Sequence, residues 1–241
     1  MIFVENDSID AAFHFSVEEY FTRYVRKNVP VIMLWQADKT VMLGNNQVAS
    51  AEVELDFAKE SGINIVRRSS GGGAIYTDMG TVLYTVIEPV TDDIKSNREA
   101  VAGEIIEALG KMGVSAVREG RNDILIDGCK ISGFAQYTSG EHVCTHGSLL
   151  FNADLDTLTK VLIPNETKLK PKGIASIRSR VTNIKPYIKA NFTVDDFIEN
   201  LKGHLLSDKN YMVYKINTDE LAKINTIYNN KYGNREWSYK I

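Results

Sequence analysis

The chain predicts an α+β fold, a largely antiparallel mixed sheet flanked by helices. Short aliphatic and β-branched runs, such as Val31 to Gln36, Thr40 to Leu43 and Val82 to Ile87, mix irregularly with helix-length stretches. Tight turn signals, above all Asp127-Gly128, separate strand-like runs and favour hairpins over crossovers. No repeat and no Pro/Gly/Ser-rich linker divides the 241 residues, so they read as one domain with a full core.

Each element has a local reason. Ser8 or Asp7 is placed to cap a helix from Ile9 to Lys27, in which Ala12, Phe15, Tyr20 and Tyr24 recur at roughly helical spacing. The strands Val31 to Gln36 and Thr40 to Leu43 follow. Val53 to Ser61 reads as a short helix closed by Gly62, and Ser96 to Met112 as a longer one ending before Gly113. Further helices are expected at Leu155 to Val161, Val194 to Leu206 and Asp219 to Ile227. The polar, Lys-rich stretch Pro164 to Pro171 reads as a surface loop.

Composition narrows the class. A net charge of −3 leaves no electrostatic footprint for non-specific nucleic-acid binding. No apolar run approaches the roughly 20 residues of a membrane span, and the early acids Glu5, Asp7 and Asp10 are unlike a signal peptide. Cys129 and Cys144 are the only cysteines, which suits a reducing, cytoplasmic setting. Cys129 reads as core, and Cys144 has no base partner in the sequence.

Two segments carry chemistry. The first runs Arg67-Arg68-Ser69-Ser70-Gly71-Gly72-Gly73-Ala74-Ile75-Tyr76-Thr77-Asp78. Glycines without Cβ let backbone N–H groups approach an anion, and an adjacent arginine can hold a phosphate or carboxylate. Its spacing is neither that of a P-loop nor of a dinucleotide fold, so an ordinary glycine turn is the competing reading. The second is the hairpin around Asp127-Gly128. It places Ile126 opposite Cys129, Leu125 opposite Lys130 and Asp123 opposite Ser132. Ile124, Ile126, Cys129 and Ile131 then share the apolar face, while Asp123 and Lys130 project from the other, about 7–8 Å apart as diagonal neighbours. A further turn at Thr138-Ser139-Gly140 returns the chain through Val143 to Phe151, bringing His146 towards the same concavity. A lysine there can neutralise a carboxylate and a phosphate together, the groups that meet when an acid is activated as an acyl-adenylate. A solvated hairpin lysine and a structural histidine are the bland alternatives.

Residues 67–78 resemble the glycine-loop signature of lipoate–protein ligases. Asn122 to Ala135 resembles the segment that carries that family's essential lysine. His146 to Leu150 and Lys172 to Asn183 resemble two further blocks in the same order, and Trp35-Gln36, Gly44 and Gln47 resemble the opening strands. The resemblance implies a biotin/lipoate ligase fold akin to the class II synthetase core. It implies that ATP and lipoate form lipoyl-AMP, from which the lipoyl group passes to a lysine of a lipoyl domain of 2-oxoacid dehydrogenases or of the glycine-cleavage H protein. By the same resemblance Lys130 is the catalytic group, bridging the lipoate carboxylate and the α-phosphate. Arg68, Gly71, Gly72, Gly73, Ala74, Ile75 and Tyr76 hold phosphates and part of the lipoyl group. Asn122, Asp123 and His146 flank the ligands, Asp123 is the candidate Mg²⁺ ligand, and Trp35 walls the lipoyl tunnel.

Two departures stand out. Thr77 occupies a position that is commonly His in the family. Many relatives also carry an accessory domain after a segment resembling Glu236 to Tyr239, whereas this chain stops at Ile241, which implies that the domain is absent, truncated or a separate chain. Three rivals remain: an octanoyl or lipoyl transferase working through a cysteine thioester, a biotin ligase, and a non-catalytic lipoyl-binding module.

Overall fold

The computed structural model describes residues 1–24, 29–90, 93–163 and 180–240. The segment Pro164 to Pro171, most of the block Lys172 to Asn183 and the expected end of the first helix at Lys27 lie outside them.

Strand β1 (Ile2–Val4) precedes helix α1 (Ala11–Tyr24), which is capped by Asp10, whose Oδ1 accepts from the Ala12 N–H at 2.8 Å. This corrects the expected cap at Ser8 or Asp7: the helix starts two residues later, so Asp10 is the group within reach of its free N–H groups. Next come β2 (Val31–Trp35), β3 (Thr40–Leu43), the short α2 (Ala49–Glu52) and α3 (Leu55–Glu60). The helix expected from Val53 to Ser61 starts only at Leu55, because Val53 bridges to Leu162 as extended chain. Strands β4 (Asn64–Arg67), β5 (Ile75–Thr77) and β6 (Thr81–Pro89) lead to α4 (Ile94–Lys111), β7 (Val117–Glu119), β8 (Asp123–Ile126), β9 (Cys129–Ser139) and β10 (His142–Leu150). The chain closes with α5 (Leu155–Val161), α6 (Val194–Leu206), β11 (Met212–Tyr214), α7 (Thr218–Ile227), a π-helical turn Tyr228–Tyr232 and α8 (Arg235–Tyr239).

The sheets are mixed. Eight strands run in the order β11-β1-β2-β6-β10-β9-β8-β7, and three in the order β4-β3-β5. The pairs β11–β1, β1–β2 and β3–β4 are parallel; the meander from β6 through β10, β9 and β8 is antiparallel. The central strands are covered on both sides, which is why they read as continuous apolar runs. Successive residues part company across the sheet: Ile32, Val82 and Tyr84 pack under α4 and α6, while Val31, Met33, Trp35 and Leu83 pack under α1. Helices α3 and α5 cover the smaller sheet through Ala58, Leu155 and Leu158.

His14, on α1, is buried and stacked on Trp35 with ring centroids 4.2 Å apart. Burial pushes its pKa down to about 4, against a smaller opposing pull from its bond to the Ser8 carbonyl. The unfolded chain therefore binds a proton that the folded chain refuses between pH 6.5 and about 4. The contribution is fully present above pH 6.5 and is lost as pH falls through that window, up to about 3 kcal/mol. Urea midpoints at pH 7 and pH 5 should show about 2 kcal/mol of this drop, and His14→Phe should flatten it. Equal slopes in both proteins would show that His14 does not drive the acid sensitivity.

Candidate functional site

The hairpin forms as its turn chemistry requires. Asp127 and Gly128 adopt φ of 48° and 77°, the left-handed pair of a type I′ turn, and Ile126 faces Cys129 as Leu125 faces Lys130. The register then slips at an irregularity between Ile124 and Leu125, so that Ile124 faces Ser132 and Asp123 faces Gly133. This corrects the expected pairing of Asp123 with Ser132. Asp123 and Lys130 still share a face, and their side chains meet: Lys130 Nζ lies 2.8 Å from Asp123 Oδ1. Lys130 reaches there by lying across Gly133, where an added Cβ would fall 2.8 Å from Nζ. Cys129 is only half-buried rather than core, since it closes the hairpin at the edge of the apolar face. The next turn falls at residues 140–141, slightly later than expected, with His142 opposite Ser139.

Lys130 stands where two cavities adjoin. One, of about 820 Å³, is lined by Trp35, Phe15 and Leu83 on its apolar side and by Arg68, His146 and the glycines 71–73 on its polar side. The other, of about 500 Å³, is lined by Ala74, Tyr76, Glu119, Leu150 and Val181. Gly73, Ala74, Ile75, Asp123, Lys130 and Gly133 line both. Of the residues expected at a site, Tyr76 is buried against the second cavity, while Trp35, Arg68 and His146 belong to the first. Thr77 is wholly buried with an unpartnered hydroxyl and lines neither cavity.

Arg68 is buried, and its cation is directed at its own loop. Nη2 donates to the Gly71 and Gly73 carbonyls at 2.9 and 2.7 Å, Nη1 to the Met42 carbonyl, and Nε to Ser70 Oγ at 3.0 Å. Burial lowers its pKa to about 10, which keeps it cationic at neutral pH, and Glu18 supplies the opposing charge. Glu18 is reached through a relay: Ser70 Oγ lies 2.6 Å from His146 Nε2, and His146 Nδ1 lies 2.8 Å from Glu18 Oε2. Since Arg68 donates to Ser70, the consistent assignment has Ser70 donating to Nε2 and Nδ1–H donating to the carboxylate. Thr85 donates to the other Glu18 oxygen at 2.6 Å and accepts from Trp35 Nε1 at 3.1 Å. Sequence reading missed Glu18. Its only signal is that it is one of two adjacent acids on the buried stretch of an amphipathic helix.

Glu18, Cys144 and His146 could in principle share a metal ion, but hydrogen bonds already occupy the acid and the imidazole. Cys144 is fully buried, its thiol is pushed well above its ordinary pKa by burial and by Glu18, and it lines neither cavity. A nucleophilic thiol needs the opposite environment. For a hard cation the better donors are the half-exposed Asp123 carboxylate and Asn122 Oδ1, a buried oxygen without a partner.

Residues 10–206 match the family model of the lipoyl protein ligase A/B catalytic domain. The chain belongs to this family. It is 32% identical to the lipoate-protein ligase LplJ of Bacillus subtilis, over 99% of this chain and 73% of that protein. Among solved structures, the bipartite lipoate protein ligase of Thermoplasma acidophilum, described with its E2 lipoyl domain, superposes with a TM-score of 0.87 at 26% identity, covering 99% of this chain and 95% of the other. A lipoate-protein ligase A solved with bound ATP shares the fold, with a TM-score of 0.86 at 24% identity, covering 99% and 98%. The lipoyl ligase fold thus accounts for the mixed sheets, and no helix of the described residues is long and apolar enough to cross a membrane.

Proposed function

We propose that this chain is the catalytic domain of an ATP-dependent lipoate–protein ligase. Lipoate lies in the larger cavity and the nucleoside of ATP in the smaller one, so the two reacting groups meet over Lys130. The observation that carries the reading is this position: one cation lines both cavities where they join. The aromatic wall of Phe15 and Trp35 suits an aliphatic tail with a carboxylate at one end.

The chemistry then needs little more than positioning and charge compensation. A lipoate carboxylate oxygen attacks the α-phosphorus, the bond to the β-phosphate oxygen breaks, and pyrophosphate leaves. Lys130 offsets the carboxylate's charge during approach and the α-phosphate's charge as the bond forms. The amine of an acceptor lysine next attacks the acyl carbonyl, loses a proton and expels AMP, leaving an amide. Asn122 and Asp123 would hold Mg²⁺, which when bound neutralises phosphate charge. The named E2 lipoyl domain of the archaeal relative supports a lipoyl domain as acceptor, and the glycine-cleavage H protein is the second acceptor we propose. An accessory chain that assists activation, and a cytoplasmic setting, belong to the same reading.

The test is the mass of a purified apo lipoyl domain after incubation with the chain and either lipoate plus Mg·ATP or preformed lipoyl-AMP. Modification from both donors is expected of a self-sufficient ligase. Modification from lipoyl-AMP alone would assign activation to an accessory part, either a second chain or a segment beyond residue 241. No modification from either, across several acceptors, would overturn the reading. Cys144→Ala is expected to retain transfer; its abolition in a folded variant would revive a thioester route.

A further inference from the structure

Two serines separate the arginine pair from the glycines, and α1 holds both. Glu18 and Glu19 are consecutive, about 100° apart around the helix, so they reach different sides of the loop. Glu18 reaches Ser70 through His146. Glu19 reaches Ser69 through the carboxy-terminal turn. Lys231 Nζ donates to Glu19 Oε2 at 2.6 Å and to Ser69 Oγ at 2.8 Å; Tyr232 OH donates to Glu19 Oε2 at 2.6 Å and lies 2.6 Å from Ser69 Oγ. Arg23 completes the cluster from the other carboxylate oxygen at 3.0 Å. Glu19 and Tyr232 are buried, and burial with the neighbouring Glu19 charge keeps the Tyr232 phenol protonated.

The same segment grips the residue two before Ser69. Trp237 Nε1 donates to the Arg67 carbonyl at 2.9 Å, and Arg67 Nε donates back to the Trp237 and Ser238 carbonyls, each at 3.1 Å. Arg67 is wholly buried, and its Nη1 donates to the carbonyls of Gly44 and Gln47, both at 2.7 Å. Lys231 Nζ sits 4.6 Å from the Trp237 ring centroid, which joins the two grips. None of these groups has a part in the acyl-transfer chemistry, yet they spend several charge-assisted bonds on Arg67, at the end of β4, and on Ser69 in the loop.

We propose that residues 228–239 form a clasp that sets the position of the loop from Ser69 to Gly73, with Lys231, Tyr232 and Trp237 as positioning residues for the carboxylic-acid substrate. The inference rests on the ligase reading for its substrate, and on the contacts alone for the loop. Buried hydrogen bonds to a carboxylate have discrete arrangements, so losing one lets Ser69 move rather than drift slightly. The glycines beyond it have no side chains with which to hold the loop.

Hydrogen exchange without substrate, paired with steady-state kinetics, tests the clasp in Tyr232→Phe, Lys231→Met and Trp237→Phe. Peptides covering residues 68–76 should exchange about tenfold faster, the worth of one net hydrogen bond, while α4 peptides keep their rate. KM for lipoate should rise about tenfold, with a smaller rise in KM for ATP because Gly73 to Ile75 also line the second cavity, and Lys231→Arg should restore both loop protection and KM. Unchanged loop exchange in a folded variant would overturn the proposal, as would equal acceleration in α4 and the loop, the mark of a merely stabilising segment. Should Tyr232→Phe not fold, Trp237→Phe decides on the same criteria, because it keeps an aromatic ring and loses the bond to Arg67. A wild-type chain with no ligase activity but with exchange behaving as expected would remove the ligase reading and leave the clasp.

Discussion

Lys130→Met should reduce lipoyl-AMP formation by about a hundredfold to a thousandfold, the range for removing one group that stabilises developing charge. The fold should hardly notice. The Lys130–Asp123 pair is half-exposed, with side-chain exposures of 36% and 46%, and such pairs contribute at most about 1 kcal/mol. Methionine preserves the apolar stem and its contact with Gly133, so only the cation is removed. Lys130→Arg should not rescue activity, because a planar fork cannot occupy the point between two cavities that an ammonium fills. Pyrophosphate release measured in a single turnover, alongside thermal unfolding, separates the two effects. Activity within about threefold of the parent, by the same transition-state arithmetic, would move the charge compensation to another group.

What could be read in advance follows the reach of each determinant. The Asp127-Gly128 hairpin was legible because both residues must adopt positive φ, a demand settled within the turn itself. Helices α5 and α6 begin where the sequence puts them because Asp154 and Thr193 cap them within three residues. The slip that brings Asp123 opposite Gly133 was not legible: it arises where β8 is paired on both sides, with β7 and with β9, and no residue type marks it. The parallel pairs β11–β1 and β3–β4 join segments whose contact depends on the whole topology.

Charged groups followed the same rule. Lys130 and Asp123 were legible because a two-residue turn fixes their common face. Glu18 and Glu19 were not, since their partners lie 128 and more than 200 residues away. The resemblance singles out Arg68 of the pair as a ligand group, and the surroundings of the two arginines differ. Arg67 is bound to α8 and to the loop after β3, whereas Arg68 braces the glycines and faces the cavity. Adjacent strand residues point to opposite faces, so a pair of cations in sequence is two separate contacts in space.

Gly133→Ala should cost about a hundredfold in activity at nearly unchanged stability. A Cβ here would lie 2.8 Å from Lys130 Nζ and 3.0 Å from Cε, with Asp123 Oδ1 at 3.9 Å. The obstructed group is the far end of a flexible side chain, so the lysine moves and the strand does not. Alanine also restricts the unfolded chain slightly more than glycine, a gain of about 0.4–1 kcal/mol that offsets residual crowding. The displaced ammonium leaves the junction of the two cavities, and a displacement near 1 Å can cost about a hundredfold when positioning is the catalytic device. Gly103→Ala on α4 is the control, with open space for its Cβ and a helix that favours alanine. The expected result is a Gly133→Ala protein with parental unfolding temperature, slow lipoyl-AMP formation and ordinary ATP affinity. Full activity would mean that Lys130 reaches its working position without lying across Gly133, and that the salt bridge to Asp123 is a resting arrangement rather than the productive one.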